Sequence, residues 1–271
     1  MTGHADAGAA FTAGAEEFHT WSEGLWDPVG RVTAEAAGPR AGQRVLDACC
    51  GAGASALPAA RAVGPAGVVD AVDLSAGLLA LGRRRAAEEG QHHLRFHQGD
   101  VTTWPRRDVP YDIAQCALGL FFLPDMEAGA KALMGHLRPG GRLVLTVWEN
   151  GALGAWGAAF KAAVETERAW PADPELPRRL GRIDTVPAFR SWLGEVGLRG
   201  ARVEQHSLPA PFTPDSAWRL VLGSGIRQVL DGMEAAAVER VRERFRERVA
   251  ADTDGGTGDL DVRILVGVGS A

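Results

Sequence analysis

Between Arg44 and Trp148, short apolar runs alternate with longer stretches whose apolar residues recur at helical spacing. The runs Arg44–Cys50, Val68–Val72, Leu94–His97, Asp112–Leu118 and Arg142–Trp148 are too short for helices, and strands covered on both faces have this unbroken apolar character. Ala54–Val63 reads as a helix broken by Gly64-Pro65. A second helix runs from a Ser75 cap to about Glu89, and Met126–Leu137 forms a third, stopped by Pro139-Gly140-Gly141. Such alternation predicts an α/β fold: a parallel sheet with helices on both faces.

The flanks differ from this core. Residues 1–15 are small and polar and read as a frayed tail. Phe18, Trp21, Leu25, Trp26 and Val29 follow at roughly helical spacing up to Pro28 and Gly30, and a further helix, Arg31–Ala37, stops at Gly38-Pro39. Residues 150–184 are rich in Gly, Ala, Trp and Pro and do not resemble a strand–helix unit. Val186–Val196 is helical, Arg202–Leu208 is a strand, residues 214–250 are helical, residues 252–259 form a Gly/Asp loop, and residues 261–268 close the chain as a strand. The helical insert before this last strand motivates the expectation that it is antiparallel and sits between the fifth and sixth strands, in the order 3-2-1-4-5-7-6. The expected organisation is an N-terminal tail with lid helices over residues 1–40, then one domain over 41–271 carrying lid insertions at about 150–184 and 209–250.

Composition narrows the function. A length of 271 residues suffices for one large α/β domain. The net charge of −5 and the lack of a Lys/Arg run that could form a phosphate-tracking stripe argue against a nucleic-acid partner. Arg240, Arg242, Arg244, Arg246 and Arg248 alternate with Glu239, Glu243 and Glu247, the pattern of a solvated helix laced with ion pairs. The three cysteines, Cys49, Cys50 and Cys116, have no zinc-like spacing and read as reduced thiols. With no basic-then-apolar leader and no apolar run of membrane length, the chain is expected to be cytoplasmic, with no membrane partner. Its oligomeric state stays open, a homodimer among the options.

The strongest chemical signal is Val45-Leu-Asp-Ala-Cys-Cys-Gly-Ala-Gly53, an apolar strand running into a small-residue turn that opens a helix. Small residues let a ligand approach the backbone, and the helix start offers free N–H groups. The string also fits a dinucleotide fingerprint, so an NAD(P)-dependent oxidoreductase is a competing reading. Against it, Asp47 precedes the glycines, where a carboxylate suits a cationic amino-acid moiety and repels a pyrophosphate. Asp73 ends the second strand, placed to accept ribose hydroxyls, and Asp100 follows the third, placed to accept from an adenine amino group.

In order, VLDACCGAG, AVDLSAGLL, QGDVTTWP, YDIAQCALGLFFLPD and LRPGGRLVLTVW resemble the successive motifs of class I S-adenosylmethionine-dependent methyltransferases. They are similar in particular to the ubiquinone/menaquinone-biosynthesis C-methyltransferase group and bacterial small-molecule methyltransferases. The resemblance covers about residues 41–148. It implies a Rossmann-like seven-stranded fold and S-adenosyl-L-methionine as cofactor. It further implies that Asp47 and the backbone of Ala48, Cys49, Gly51 and Gly53 hold the methionine part, and that Asp73 holds the ribose while Leu74 packs on adenine. Asp100 and Val101 would bind the adenine edge, and the backbone near Ala117 would face the methionyl amine. Where Cys49 stands, the family usually has Gly.

The acceptor is expected over the C-terminal edge of the sheet, beneath the insertions. Trp21, Trp26, Trp148 and Trp156 are candidate walls for a small, largely apolar metabolite, in specialised or quinone-like metabolism, methylated on carbon or oxygen. Glu149, His19 and His206 are the candidate bases, and no metal is expected. A methyltransferase-fold protein that binds the cofactor yet catalyses a cyclisation is the alternative reading.

Overall fold

The computed structural model describes residues 4–171, 173, 175–251, 253–254 and 256–271. Its central sheet contains β1 (Arg44–Ala48), β2 (Val68–Asp73), β3 (Leu94–Gln98), β4 (Tyr111–Ala117), β5 (Leu137–Trp148), β6 (Arg199–Leu208) and β9 (Val262–Ser270). Short strands β7 (Pro211–Phe212) and β8 (Gly258–Asp259) form a separate pair. The sheet order is β3-β2-β1-β4-β5-β9-β6, and β9 runs antiparallel to both β5 and β6. This is the predicted seven-stranded order, with the closing strand inserted before the edge.

The helices are α1 (His4–Ala13), α2 (Ala15–His19), α3 (Asp27–Ala37), α4 (Ala56–Val63), α5 (Ala76–Glu88), α6 (Met126–Met134), α7 (Gly154–Val164), α8 (Glu175–Leu180), α9 (Val186–Glu195), α10 (Pro214–Gly223) and α11 (Ala235–Ala251). The Ser75 hydroxyl accepts from the Leu78 amide and caps α5 as expected, and Asp125 caps α6 in the same manner. Two apolar layers result from strand alternation. Val45, Val69, Ile113, Val144 and Ile264 face α3, α4, α7, α10 and α11, while Leu46, Val72, Ala114, Leu145 and Leu265 face α6 and α9.

Three local expectations are corrected. The N-terminus from His4 onward is helical, and α1 packs on α5 with the Thr12 and Ser75 hydroxyls 3.0 Å apart; residues 1–3 lie outside the described residues. Pro28 does not end a helix. It sits in the first turn of α3, where its missing N–H is harmless, and a single π turn (Ser22–Trp26) precedes it. The Arg-rich α11 owes little to internal ion pairs. Arg240 and Arg244 both reach Glu167, beyond the end of α7, and Arg246 meets Asp215, while Val241, Phe245 and Val249 are buried. The residue 252–259 loop falls partly outside the described residues, since Asp252 and Gly255 are not among them.

Helix α3 is no peripheral lid. The hydroxyls of Thr33 and Thr146 share a buried 2.7 Å hydrogen bond, and Arg142 donates to the Gly38 carbonyl at 2.9 Å, so α3 is bonded directly to β5. Its Gly30 lies flat on the backbone that follows the β1 turn. A β-carbon there would stand 2.2 Å from the Ala54 carbonyl carbon and 2.6 Å from the Ser55 amide nitrogen. Gly30→Ala is therefore expected to cost about 1–3 kcal/mol of stability, because main chain must move to admit one methyl group. Urea unfolding of the variant with an unshifted midpoint would show that α3 is not held at this distance.

Candidate active site

β1 ends at Ala48 and the chain turns through Cys49 (φ 52°), Gly51 (φ 52°) and Gly53 (φ 86°) before α4 begins. These are left-handed values, which explains the glycines and makes Cys49 a strained exception. Among the described residues, the non-glycine residues with positive φ are Cys49, Leu118 and Leu153, and all three line one cavity. Strain gathered on one cavity wall points to a functional site.

That cavity has a volume of about 300 Å³. One side is the turn, through Cys49, Gly51, Ala52 and Ser55, with Asp73 beside it. The lining also includes an aromatic set, Phe18, Trp26, Trp148 and Trp156, of which Phe18 lies against Gly51 of the turn, with Leu220 and Ile226 from α10 and the turn after it. Past Asp73 a smaller chamber of about 60 Å³ continues between Leu74, Gly99 and Val101, covered by Gly8 and Phe11 of α1. Cys49, Asp73, Phe11 and Phe122 line both chambers, so Asp73 stands at their junction. Its carboxylate accepts from the Gly51 amide at 2.9 Å and the Ser75 amide at 2.8 Å, which fixes it against the turn.

Asp47 lies behind the wall. It is fully buried and its Oδ2 accepts from the Ser55 hydroxyl at 2.8 Å, so Ser55, not Asp47, reaches the cavity. Burial pushes this carboxyl up to about 7, opposed by the Ser55 hydrogen bond. Its Oδ1 and the Oε1 of Gln115, its register partner on β4, are both buried without a donor, and a proton kept on Asp47 supplies one. The neighbouring Cys116 thiol and burial raise the Cys49 thiol well above the ordinary range, and burial does the same for Cys50. Neutral thiols are poor nucleophiles, so the cysteines can line an electrophile's site without reacting with it.

The structure thus brings together Cys49, Gly51, Asp73, Leu74, Val101 and Ala117 of the expected cofactor residues. Four others are not among the lining residues. The Asp47 carboxylate is behind Ser55, and the Ala48 side chain faces the α6–α9 layer through strand alternation, which leaves the expectation for its backbone standing. Gly53 packs on the Phe96 ring, and the Asp100 carboxylate accepts from the Thr102 amide and hydroxyl, capping the turn that follows β3. Trp26, Trp148 and Trp156 line the large chamber, whereas Trp21 is a core residue whose indole donates to the Ser216 carbonyl at 2.8 Å.

All three candidate bases are corrected, for none lines either chamber. Glu149 lies one residue past the end of β5, where its amide still pairs with the Arg263 carbonyl, so the alternation continues and sends it to the face opposite Trp148, where it meets Gln205 and Arg263. His19 follows Phe18 on a helix, which swings it about 100° away, onto Ser22. His206 is on β6, two strands beyond β5 and so about 10 Å from it. Sequence reasoning missed Phe11, Phe18, Ser55, Phe122 and Leu153, and placed the backbone near Leu118, beside Ala117, without its left-handed φ. The α1 residues looked like tail, and the positive φ of the two leucines carries no sequence signal.

Residues 45–141 match a family described as "Methyltransferase domain". Over 122 residues the chain is 35% identical to the ubiquinone/menaquinone biosynthesis C-methyltransferase of Pseudomonas putida, covering 45% of this chain and 46% of that protein. Over 103 residues it is 32% identical to the demethylmenaquinone methyltransferase of Halalkalibacterium halodurans, covering 38% and 42%. The chain spans less than half the length of these curated relatives. The YcgJ protein of Bacillus subtilis shares the fold over 89% of this chain and 97% of its own, with a TM-score of 0.55 at 18% identity.

Over residues 45–141 the chain is thus similar to methyltransferase domains. The dinucleotide reading falls away, and S-adenosylmethionine is the cofactor of such domains. The methyltransferase site fits that molecule on its own geometry. The open left-handed turn leaves backbone at the cavity wall, a fixed carboxylate stands where two chambers meet, and the smaller chamber is lined mostly by apolar residues. Asp73 would take the ribose hydroxyls, Leu74 and Val101 the base, and the turn with Ala117 the amino-acid end. No helix among the described residues is long and apolar enough to cross a membrane.

Two outcomes follow. Asp73→Ala should weaken S-adenosylhomocysteine binding by about 1.5–3 kcal/mol, through loss of charge-assisted hydrogen bonds; unchanged affinity by calorimetry would remove Asp73 from the site. Asp47 has a folded value raised above its unfolded one, so the native state holds its proton to higher pH. Stability should therefore fall as pH rises from about 4 through about 7, as the carboxylate is forced to ionise inside the protein. The Asp47→Asn variant should lack this decline, and parallel urea midpoints for the two proteins from pH 5 to pH 8 would contradict it.

Proposed function

We propose that this chain transfers the methyl group of S-adenosylmethionine to a small, largely apolar acceptor, on carbon or oxygen, in specialised or quinone-like metabolism. The supporting observation is that one cavity is lined both by the turn with Asp73 and by an aromatic wall. The cofactor supplies an electrophilic methyl group, displaced in line. The protein's part is to hold the acceptor against it and keep water out. Phe18 stacks on Trp26 with centroids 4.6 Å apart, and Phe11 meets Phe122 edge-on at 5.4 Å, closing the cavity from the α1–α2 side.

Among the described lining residues there is no His, Glu, Lys or Arg; Asp73 is the one carboxylate, and its two amide donors fix it at the cofactor end. The site is built to position, with no dedicated base, so it suits an acceptor that arrives as a nucleophile: an electron-rich ring or enol carbon, or an oxygen acidic enough to ionise unaided. The part-length similarity to two quinone-pathway methyltransferases agrees with that chemistry. The acidic overall charge agrees with a small-molecule partner in preference to a nucleic acid.

Tritium transfer from labelled cofactor is the direct test, with small phenolic, polyketide-like and isoprenoid acceptors beside DNA, RNA and protein. Labelling is expected on a compact apolar acceptor, with kcat showing no ionisation that belongs to Glu149, His19 or His206. Labelling of a polymer alone would overturn the reading, and cyclisation of an acceptor without label would replace it with the non-methylating alternative.

A further inference from the structure

We propose that Trp156 is the end wall of the acceptor cavity and sets the longest acceptor the protein takes, an inference that rests on reading the large chamber as the acceptor site. A second cavity, of about 100 Å³, lies on the far side of this residue. The residues common to its lining and that of the 300 Å³ chamber are Leu153 and Trp156. The two spaces are therefore separated by one indole and one isobutyl group.

Both partition residues are held rigidly. The Trp156 indole N–H donates to the Ala217 carbonyl of α10 at 3.1 Å, and the ring stands edge-on to Phe245 of α11 at 6.5 Å and 89°. Its side chain is thus clamped between two helices of the insertion and is 9% exposed. Leu153 sits in the left-handed region at φ 57°, and its amide donates to the Asp261 carbonyl at 2.9 Å, so the backbone entering α7 is fixed as well. A wall of this kind does not yield to a longer ligand by a simple rotamer change, since moving the indole breaks a buried hydrogen bond.

The space beyond is suited to an apolar tail. Phe212, Val249 and Leu260 form its inner surface, with Asp259 and Asp261 at the polar end. Asp261 is engaged by Arg263 and Asp259 accepts from the Ala210 amide, so these carboxylates are already partnered. Removing the indole would join the two cavities into one tunnel that starts at the cofactor turn. Trp26 and Trp148, by contrast, border the large chamber alone, so their removal would widen it without lengthening it.

The test uses 4-alkylphenols of increasing chain length as probes, titrated calorimetrically into the full chain saturated with S-adenosylhomocysteine. In the wild type, affinity should rise by about fourfold per added methylene and then break off at a limiting length, because each buried methylene adds the same increment until the wall is met. In Trp156→Ala the break should move out by several carbons, with the first chains beyond the wild-type limit bound at least about tenfold more tightly. Trp156→Leu, which keeps more of the packing, should move it by less, and Trp156→Phe should leave it near the wild-type length. S-adenosylhomocysteine affinity should stay within about twofold in all three. A break at the same length in the folded Ala and Leu variants, or no break in the wild type, would overturn the proposal. Because the readout is binding, a shifted break with no methyl transfer to any acceptor would count against the proposed activity and still support the wall.

Discussion

The hydrogen bond between the Gly51 amide and the Asp73 carboxylate is the contact on which the site depends, because it ties the turn after β1 to the end of β2. A charge-assisted bond of this kind is worth about 1.5–3 kcal/mol. More important is its geometry. With Asp73 also held by the Ser75 amide, the turn, the carboxylate and the cap of α5 become one rigid unit. The left-handed residues on the turn then face a cavity of settled shape, and the strain at Cys49 is carried by that surrounding bonding.

The rest of the chain is arranged to close over this unit. Helix α3 lies on it through Gly30 and on the sheet through Thr33, so one helix sets the distance between turn and sheet. The N-terminal helices reach the insertion as well as the core. Trp21 donates to Ser216 of α10, and the Arg227 guanidinium, in the turn after α10, donates to the Ala10 carbonyl of α1 at 3.5 Å. Phe11 borders both chambers, so α1 belongs to the small chamber as much as to the large one.

Polar groups inside the molecule are used sparingly and mostly as supports. Asp47 holds Ser55 from behind, and Asp70 is a buried acceptor for Tyr111 and His97. Asp112 sits near the edge of the strands, bound by Arg138 and by the Arg44 amide, which hold its carboxyl below the usual range. Each of these carboxylates has a structural donor, and the large chamber is left mostly apolar.

Local pattern determined a great deal. The strand runs from Val45 to Trp148, the Ser75 cap and the insertion of the closing strand follow from periodicity, turn chemistry and chain order, and they place Asp73, Leu74 and Val101 at the strand ends without any long-range information. The turn is legible because glycine is the residue that accepts left-handed backbone, although Cys49 hides one such position. What only the tertiary structure decided is which side chains share a cavity. Glu149 and Trp148 are adjacent in sequence, but the two-residue period of a strand sends them to opposite faces; His19 and Phe18 part in the same way on a helix. Residue types suitable for chemistry were visible in the sequence, but the direction in which each points was set by packing between segments up to two hundred residues apart, and no local signal encodes that.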